Sequence, residues 1–528
     1  MKYIAFLLMI SFFWGCSNTV ASDEDGESFS STGKSSAILS SSSKGKSSSS
    51  SHDILSSSFS GSSSSSIISS SSGTFSSSSA ITGTAWDGTT AKAFAGGAGT
   101  KLSPYLIATA EQLARFSFLV GSNDSDYVSK YYELSADILL HDKTLINTSG
   151  ALVTDSTALI KWTPIGNSKV AFAGHFDGQD HTISGLFINT TSTHNGLFGN
   201  NAGTIAHVTL VNSWIQGGKY TAGIVGYNSG TVSNATNEAA VTGVGDCTGG
   251  IVGSSEGGNN SILTNVTNRG VITGGTAVGG VAGGAFRTTI DTASNYGSVE
   301  GTKYTGGIVG SGTNGNITAH GLLNFGIVAG KEYTGGVFGI CGYDYCSSSS
   351  IWPVCGTVTE AGNNAAVSGT QYTGGLTGFQ CKGTISLAYN KATVTGTDYT
   401  GGLFGQTISA TLTSLYNRGN VEGAKNVGGI IGYNQECVTS SAYSTGRVAG
   451  DSLAGLVIGY NYNTTMADYY YLESNEGESF GLNNSGGFAT GKSTDAMQSL
   501  DFADLLGEDW AWNADRNDGY PVLLWEEE

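Results

Sequence analysis

The residues of this chain that could do chemistry are thinly spread, and where they gather the local sequence reads as a turn. The densest cluster is His175-Phe-Asp-Gly-Gln-Asp-His181, with Asp177 and Asp180 between two histidines. Such a set could hold a metal or move protons, but Asp-Gly-Gln-Asp is also turn composition between two strands, which is the reading preferred here. The seven histidines never fall into the His-Glu-x-x-His spacing that places two imidazoles on one helix face for zinc. Asp515-x-Asn517-Asp518-Gly519 resembles part of a calcium loop, yet it lacks the closing glutamate and reads as a turn. Hydrolysis of a glycoside needs two carboxyls roughly 5 to 9.5 Å apart. The acids Asp246, Glu256, Asp291, Glu300, Glu332, Asp344, Glu360, Asp398, Glu422 and Glu436 recur in no such constellation. No catalytic residue, cofactor site or metal site is assigned on these grounds.

Tyrosines and cysteines carry more. Tyr220, Tyr304, Tyr333, Tyr372 and Tyr399 each stand three residues before a recurring glycine. If their rings point outward they form an aromatic column suited to stacking on sugar rings, with Tyr304, Tyr333, Tyr372 and Tyr399 as its members; if inward, they pack and seal corners. Cys341, Cys346 and Cys355 share one insertion, CGYDYCSSSSIWPVC, and Cys381 follows the next repeat.

The recurring glycine belongs to the pattern that must position all of these. Gly-Gly-aliphatic-x-Gly reads GGIVG at 249–253, GGVAG at 279–283 and GGIVG at 306–310. It continues as GGVFG at 335–339, GGLTG at 374–378, GGLFG at 401–405 and GGIIG at 428–432, with looser copies at 195–199, 222–226 and 454–459. Measured at the glycine before the aliphatic residue, the intervals are 27, 27, 30, 27, 29, 39, 27, 27 and 26. Such a period means stacked units rather than one closed core. The unit is too short for paired helices, and its Gly, Ser, Thr, Val and Asn composition favours strands. In the unit 220–243, runs around Ile224-Val225, Thr231–Ser233 and Ala240–Thr242 are separated by turn residues. Three strands and three turns account for the period, so the fold class expected is all-β, a parallel β-helix, right-handed from strand twist, with about 27 residues per coil.

A second register supports this. Asn237, Asn268, Asn295, Asn324, Asn363, Asn390, Asn417 and Ser444 head a pattern [Asn/Ser]-x-[Gly/Ala]-x-[Val/Ile]-x-Gly. In a stack, each amide can bond the equivalent amide above and below. The paired glycines either take positive φ or let backbones approach closely. Arg269 and Arg418, each following a ladder Asn, are expected on the solvated exterior. Strands one coil apart lie about 4.8 Å apart, within disulfide reach, so the expected bridges are Cys341–Cys381 and Cys346–Cys355. Cys247 and Cys437 lie six coils apart, too far to pair with one another, and are expected to be buried free thiols.

The flanks differ. Residues 1–15, with Lys2 and the apolar run Ile4–Phe13, have the layout of a signal peptide. The Gly15-Cys16 junction resembles a bacterial lipobox, with Phe13 in place of the usual Leu. That resemblance implies cleavage before Cys16 and lipidation of its thiol; the alternative is ordinary secretion with Cys16 inside the apolar region. Residues 16–83 form a serine-rich linker that cannot bury enough apolar surface to order itself. Residues 84–190 are expected to cap the first coils. There Thr109-Ala-Glu-Gln112 opens a helix presenting Leu113, Phe116 and Val120, between strands at 104–107, 131–140 and 162–165. Residues 191–465 form the solenoid. Residues 466–528, with a helical run at 495–506 and then Trp510, Trp512, Tyr520 and Trp525, are expected to seal the last coil.

From residue 84 onward the chain resembles the bacterial GLUG-motif proteins. The resemblance rests on GLFG at 196–199 and 402–405, PYLIATAEQLARFS at 104–117, WTPIG at 162–166, FDGQDHTISGLFI at 176–188 and NDGYPVLLW at 517–525. It implies a scaffold found in surface lipoproteins, in adhesin-like proteins and beside the protease domain of certain immunoglobulin-A metallopeptidases. The net charge of −18 argues against nucleic acid and anionic membrane surfaces as partners. The expected protein is therefore a monomeric, non-catalytic, cofactor-free solenoid, anchored through Cys16 at the bacterial outer membrane or cell surface, with a polysaccharide or another surface protein as partner. A polysaccharide lyase or hydrolase and a purely structural envelope component are the alternatives.

Overall fold

The computed structural model describes residues 83–313, 317–343, 346 and 355–527. The signal peptide, Cys16 and the serine-rich linker lie outside the described residues, as does the whole of a second unit, Thr19–Ala80. The chain winds into a β-solenoid of about 13 turns at roughly 27 residues per coil. Among the described residues the paired strands run parallel, apart from Trp510–Ala511 with Val522–Leu523 and isolated antiparallel bridges such as Gly96 with Leu106 in the N-terminal cap.

One coil shows how the repeat folds. Val394–Thr395, Asp398–Gly401, Phe404–Ile408 and Thr411–Asn417 are its strands, four rather than the three expected. The additional one is the segment around the recurring Tyr-Thr-Gly, too short to show a periodicity of its own. Each strand pairs with its counterpart one period on, as in Val394 with Val421 and Phe404 with Ile431. The aliphatic residue of each glycine motif points into the coil: Ile251, Ile308, Val337, Leu403 and Ile430 are fully buried in one continuous core.

The glycines of the motif serve close approach, not positive φ. A Cβ on Gly307 would collide with the carbonyl oxygen of Gly336 and the side chain of Asn324, and the same clash repeats at Gly336 and Gly375. Positive φ falls instead on non-glycine corner residues, at Tyr304 (56°), Tyr333 (57°), Tyr372 (55°) and Tyr399 (56°), and at Ala277, Asn426 and Leu453 in other coils. A second column of such corners runs through Asn265, Thr292, Gly321, Glu360, Leu387 and Ser414. Each non-glycine residue held there costs on the order of 1 kcal/mol or more, so the coil must over-determine the turn.

A buried asparagine ladder ties successive coils together. Nδ2 of Asn237 donates to Oδ1 of Asn268 at 2.9 Å, and the relay continues through Asn295, Asn324, Asn363, Asn390 and Asn417 at 2.7 to 2.8 Å. Each Nδ2 also bonds the carbonyl two residues ahead in its own coil, as Asn324 does with Gly326 O. These amides are fully buried yet satisfied, which is the condition for tolerating polar groups in a core. A second, shorter ladder, Thr407–Asn434–Asn461–Asn483, was not anticipated from sequence.

The two ends are closed differently. Helix α1 (Ala110–Gly121) starts at Thr109, whose side chain accepts from Gln112 N, and Gln112 Oε1 accepts from Ala108 N. Its Leu113, Phe116 and Val120 are buried, with Phe116 stacked on Tyr132 at 3.9 Å, so α1 lids the first coils as expected. The C-terminal end departs from expectation. Stacked strands continue to Ala489–Lys492, and the tail does not seal the last coil but lies along the flank of four. Helices α2 (Thr494–Met497) and α3 (Leu500–Leu506), with Trp510, Tyr520 and Leu523, cover a stripe of Tyr389, Tyr416, Tyr443 and Tyr470. These tyrosines share one register, Tyr389 and Tyr416 standing one residue before a ladder Asn and Tyr443 before Ser444; they face outward and need a cover. Trp525 Nε1 donates to Leu387 O at 3.1 Å, and Tyr443 Oη donates to Pro521 O at 2.5 Å. Arg418 is not solvated: it stacks on Tyr520 at 4.3 Å and bonds Asn517 and Asp518 of the tail. Arg269 stays outside, over Tyr296 at 4.5 Å.

Two outcomes follow from the ladder and the tail. Asn363→Ala leaves Asn324 Nδ2 and Asn390 Oδ1 each one partner short and should destabilise the fold by about 2–3 kcal/mol in denaturant titration. Ser444→Ala, where the ladder hydroxyl already has no partner, should be nearly neutral. Burial also holds the Tyr389, Tyr416 and Tyr443 hydroxyls above the usual phenol range. Below a pH of about 10 both folded and unfolded chains keep these protons and stability is complete; above it the unfolded chain ionises first, and stability falls as pH rises through the folded values. Tryptophan fluorescence from the tail should therefore shift in alkali before the far-ultraviolet strand signal is lost, and a coincident loss would contradict this.

Candidate binding surfaces

The tyrosine column exists and is outward-facing, but its rings are turned on one another. Tyr333 and Tyr372 stack at 4.7 Å and 10°, Tyr372 and Tyr399 at 4.9 Å and 13°, and Tyr304 meets Tyr333 at 5.2 Å and 42°. The spacing is that of the coils themselves. Tyr333 and Tyr372 also rest edge-on against Phe379, at 5.9 and 6.0 Å. The ring faces of Tyr333 and Tyr372, the surface a sugar ring would need, are thus occupied by neighbouring rings, and the column offers its edges outward. Tyr220 stands apart, packed on His194 and Tyr227; burial, with Glu256 and Asp246 nearby, pushes its hydroxyl up to about 12.

The cysteine pairing differs from expectation. The bridges are Cys341–Cys355 and Cys346–Cys381, not Cys341–Cys381 and Cys346–Cys355. The reason is register: Cys341 lies opposite Gln380, one residue away from Cys381. A one-residue offset in a strand sends side chains to opposite faces. Cys341 and Cys355 belong to the interior core, whereas Cys381 joins Ile340, Phe379 and Ile408 on the outer face, where Cys346 covers them. Cys437 is a buried free thiol, pushed up to about 11 by burial. Cys247 is fully buried, as expected.

The polar clusters resolve as turns and pairs. Gln179 and Asp180 both take positive φ, Asp177 Oδ1 accepts from Gln179 N at 2.9 Å, and His175 stacks on Tyr131 at 4.5 Å. Asp177 pairs with His207 at 2.9 Å, and His181 with Asp137 at 3.2 Å, so the two histidines of the motif do not converge. Asn517–Gly519 forms a short helical turn that docks on Arg418. One juxtaposition was missed: His320 Nε2 lies 2.7 Å from Glu360 and its Nδ1 3.5 Å from Asp291. The signal was available, since Asp291 and His320 both stand four residues before a ladder Asn. Among the described residues, no group of three His, Cys, Asp or Glu side chains is placed to hold a metal.

A groove that periodicity could not reveal lies where the cap meets the first coils. The second half of α1, the loop 161–167 and the corner 188–195 enclose about 520 Å³, lined by Phe118, Lys161, Asn167, Asn189 and His194 among others. An adjoining hollow of about 600 Å³ shares Gly121 and Asn167 and adds Lys169. Phe118 is 63% exposed. Burial, then Lys219, lowers the His194 imidazole below its usual range, so it is neutral at neutral pH. The only hint in sequence was an aromatic on the polar side of an amphipathic helix.

No family profile matches the chain. It is 33% identical over 132 residues to a protein of Evansella cellulosilytica provisionally described as a Gly-rich membrane protein, covering 23% of this chain and 12% of that protein. It is 34% identical over 143 residues to halomucin of Haloquadratum walsbyi, covering 26% of this chain and 1% of that protein. The chain thus spans a small part of the length of both curated relatives. A solved Bacteroides ovatus structure, provisionally described as an immunoglobulin A1 protease, aligns over 82% of this chain and 95% of its own at 16% identity. The TM-score of 0.35 is too low for that likeness to carry an argument.

Non-reducing peptide mapping should recover Cys341 with Cys355 and Cys346 with Cys381. Recovery of Cys341 with Cys381 would mean that the strand after Phe338 is shifted by one residue.

Proposed function

We propose that this chain is a non-catalytic binding or display protein of the bacterial cell envelope, anchored through a lipidated Cys16 and held off the membrane by its serine-rich linker. On this reading it belongs with the GLUG-motif surface lipoproteins, and its partner is a polymer, a glycan or another surface protein. One observation carries the proposal: the outer face of the longest strand repeats the same small hydroxyls rung after rung. Thr289, Thr318, Thr357, Thr384 and Thr411 lie directly over one another, and Thr359, Ser386, Thr413 and Ser440 form the neighbouring column. A surface of equal, evenly spaced contacts suits a partner that is itself repetitive, because many weak contacts add through linkage. The membrane-protein description of the Evansella relative agrees with an envelope location. No helix of the described residues is long and apolar enough to cross a membrane, so attachment on this reading rests on Cys16.

A second reading, as a polysaccharide-active enzyme, draws on the Asp291–His320–Glu360 cluster, two carboxylates about one imidazole. Incubation of the full-length protein with arrayed and insoluble glycans separates the two. Retention with the glycan unchanged is expected; release of reducing ends or unsaturated products would overturn the non-catalytic assignment. Cys16→Ala should move the protein out of the membrane fraction, and continued membrane retention would refute the lipid anchor.

A further inference from the structure

We propose that the groove between α1, the loop 161–167 and the corner 188–195 is a binding site for a carboxylated oligosaccharide, an inference that rests on the glycan reading above and gives it a place and a ligand class. Its size is the first argument. About 520 Å³ falls in the range of ligand sites, and a second hollow of about 600 Å³ shares Gly121 and Asn167 with it.

Lining chemistry is the second argument. Sugars are recognised by planar amides and hydroxyls that meet their hydroxyl groups, together with an aromatic ring for the apolar ring face. Asn189, with Thr190 and Thr193, supplies the polar groups, and it engages the fold only weakly, accepting from Gln216 Nε2 at 3.5 Å; Asn167, bonded to Gly121 O, Lys169 N and Val170 N, shapes the wall. Phe118 supplies the ring. It is the most exposed aromatic on α1 and lines the groove instead of joining the core, where Phe116 two residues earlier is wholly buried.

Charge decides the ligand class. The chain carries 41 acidic against 23 basic residues, yet no Asp or Glu lines either hollow, while Lys161 lines one and Lys169 the other. Neither lysine forms an ion pair among the described residues. An acid-free hollow with two lysines on an acidic protein favours a partner bearing negative charge. Lysine is a point charge without the fork that arginine brings to phosphate or to bidentate carboxylate pairing. Set among amides and a ring, the two lysines fit carboxylates spaced along a sugar chain.

The test uses the full-length protein, tetragalacturonate as probe and cellotetraose as its uncharged counterpart, in calorimetric titrations at low and high salt. Tetragalacturonate should bind, more weakly as salt rises, and cellotetraose at least about tenfold less tightly, a difference near 1.4 kcal/mol. The double variant Lys161→Gln/Lys169→Gln and, separately, Phe118→Ala should each weaken tetragalacturonate binding by about tenfold or more. Their circular dichroism and melting should be unchanged, because these side chains are exposed. Absence of binding by the natural protein, equal affinity for cellotetraose, or unchanged affinity in either variant overturns the assignment. Retention of other glycans together with no binding of tetragalacturonate refutes the groove's ligand alone; retention of none refutes the glycan reading as a whole.

Discussion

Everything in this molecule depends on parallel strands lying one coil above another, so that each backbone amide finds its acceptor in the next turn of the chain. A solenoid of this kind has no closed core to fall back on, and a slip at one rung would misplace every side chain beyond it. The buried asparagine column holds the register. Each amide is tied both to its own turn and to the amide of the next coil, so its hydrogen bonds form only when neighbouring coils are aligned. The glycines follow from the same demand, since Gly307 and its equivalents stand where a neighbouring carbonyl and a ladder side chain leave no room for Cβ.

Such a coil divides labour by direction. Inward positions are taken up with cohesion, aliphatic residues over aliphatic residues and amides over amides. Outward positions are free to vary, but whatever occupies them is repeated at the coil spacing. For threonine that yields rows of hydroxyls. For tyrosine it yields rings that cover each other's faces, in the column at Tyr333 and Tyr372 and in the stripe at Tyr416 and Tyr443. An aromatic stripe of that length would be a liability if exposed, and the C-terminal segment is the chain's own cover for one of the two. Concavity arises where the repeat is broken, and the groove beside α1 sits where an irregular cap is joined to regular coils.

The repeat itself was legible at once. The interval of 27 residues, the ladder Asn and the aliphatic residue between glycines predicted strands, direction of pairing, core and the amide relay, all of which the structure contains. The capping box at Thr109 predicted α1 and its buried face. These features are local or strictly periodic, so a linear reading suffices: in a parallel stack, spacing along the chain becomes height along the axis.

What escaped was decided at single-residue offsets and by segments folding back. Cys341 and Cys381 stand nearly one period apart, but the strand pairs Cys341 with Gln380, and one residue separates the inside of the coil from the outside. Tyr389, Tyr416, Tyr443 and Tyr470 recur at the period, yet that the tail would lie along them rather than over the last coil depends on where a non-repeating segment docks. The ring directions of the tyrosine column, the solvent shielding of Arg418 and the groove at Phe118 are of the same kind. The sequence by itself determined the stack, because neighbouring coils are copies and each supplies the partners of the next. Only the tertiary structure decided the surfaces, because they arise where the chain stops being a copy of itself and meets a partner that no period specifies.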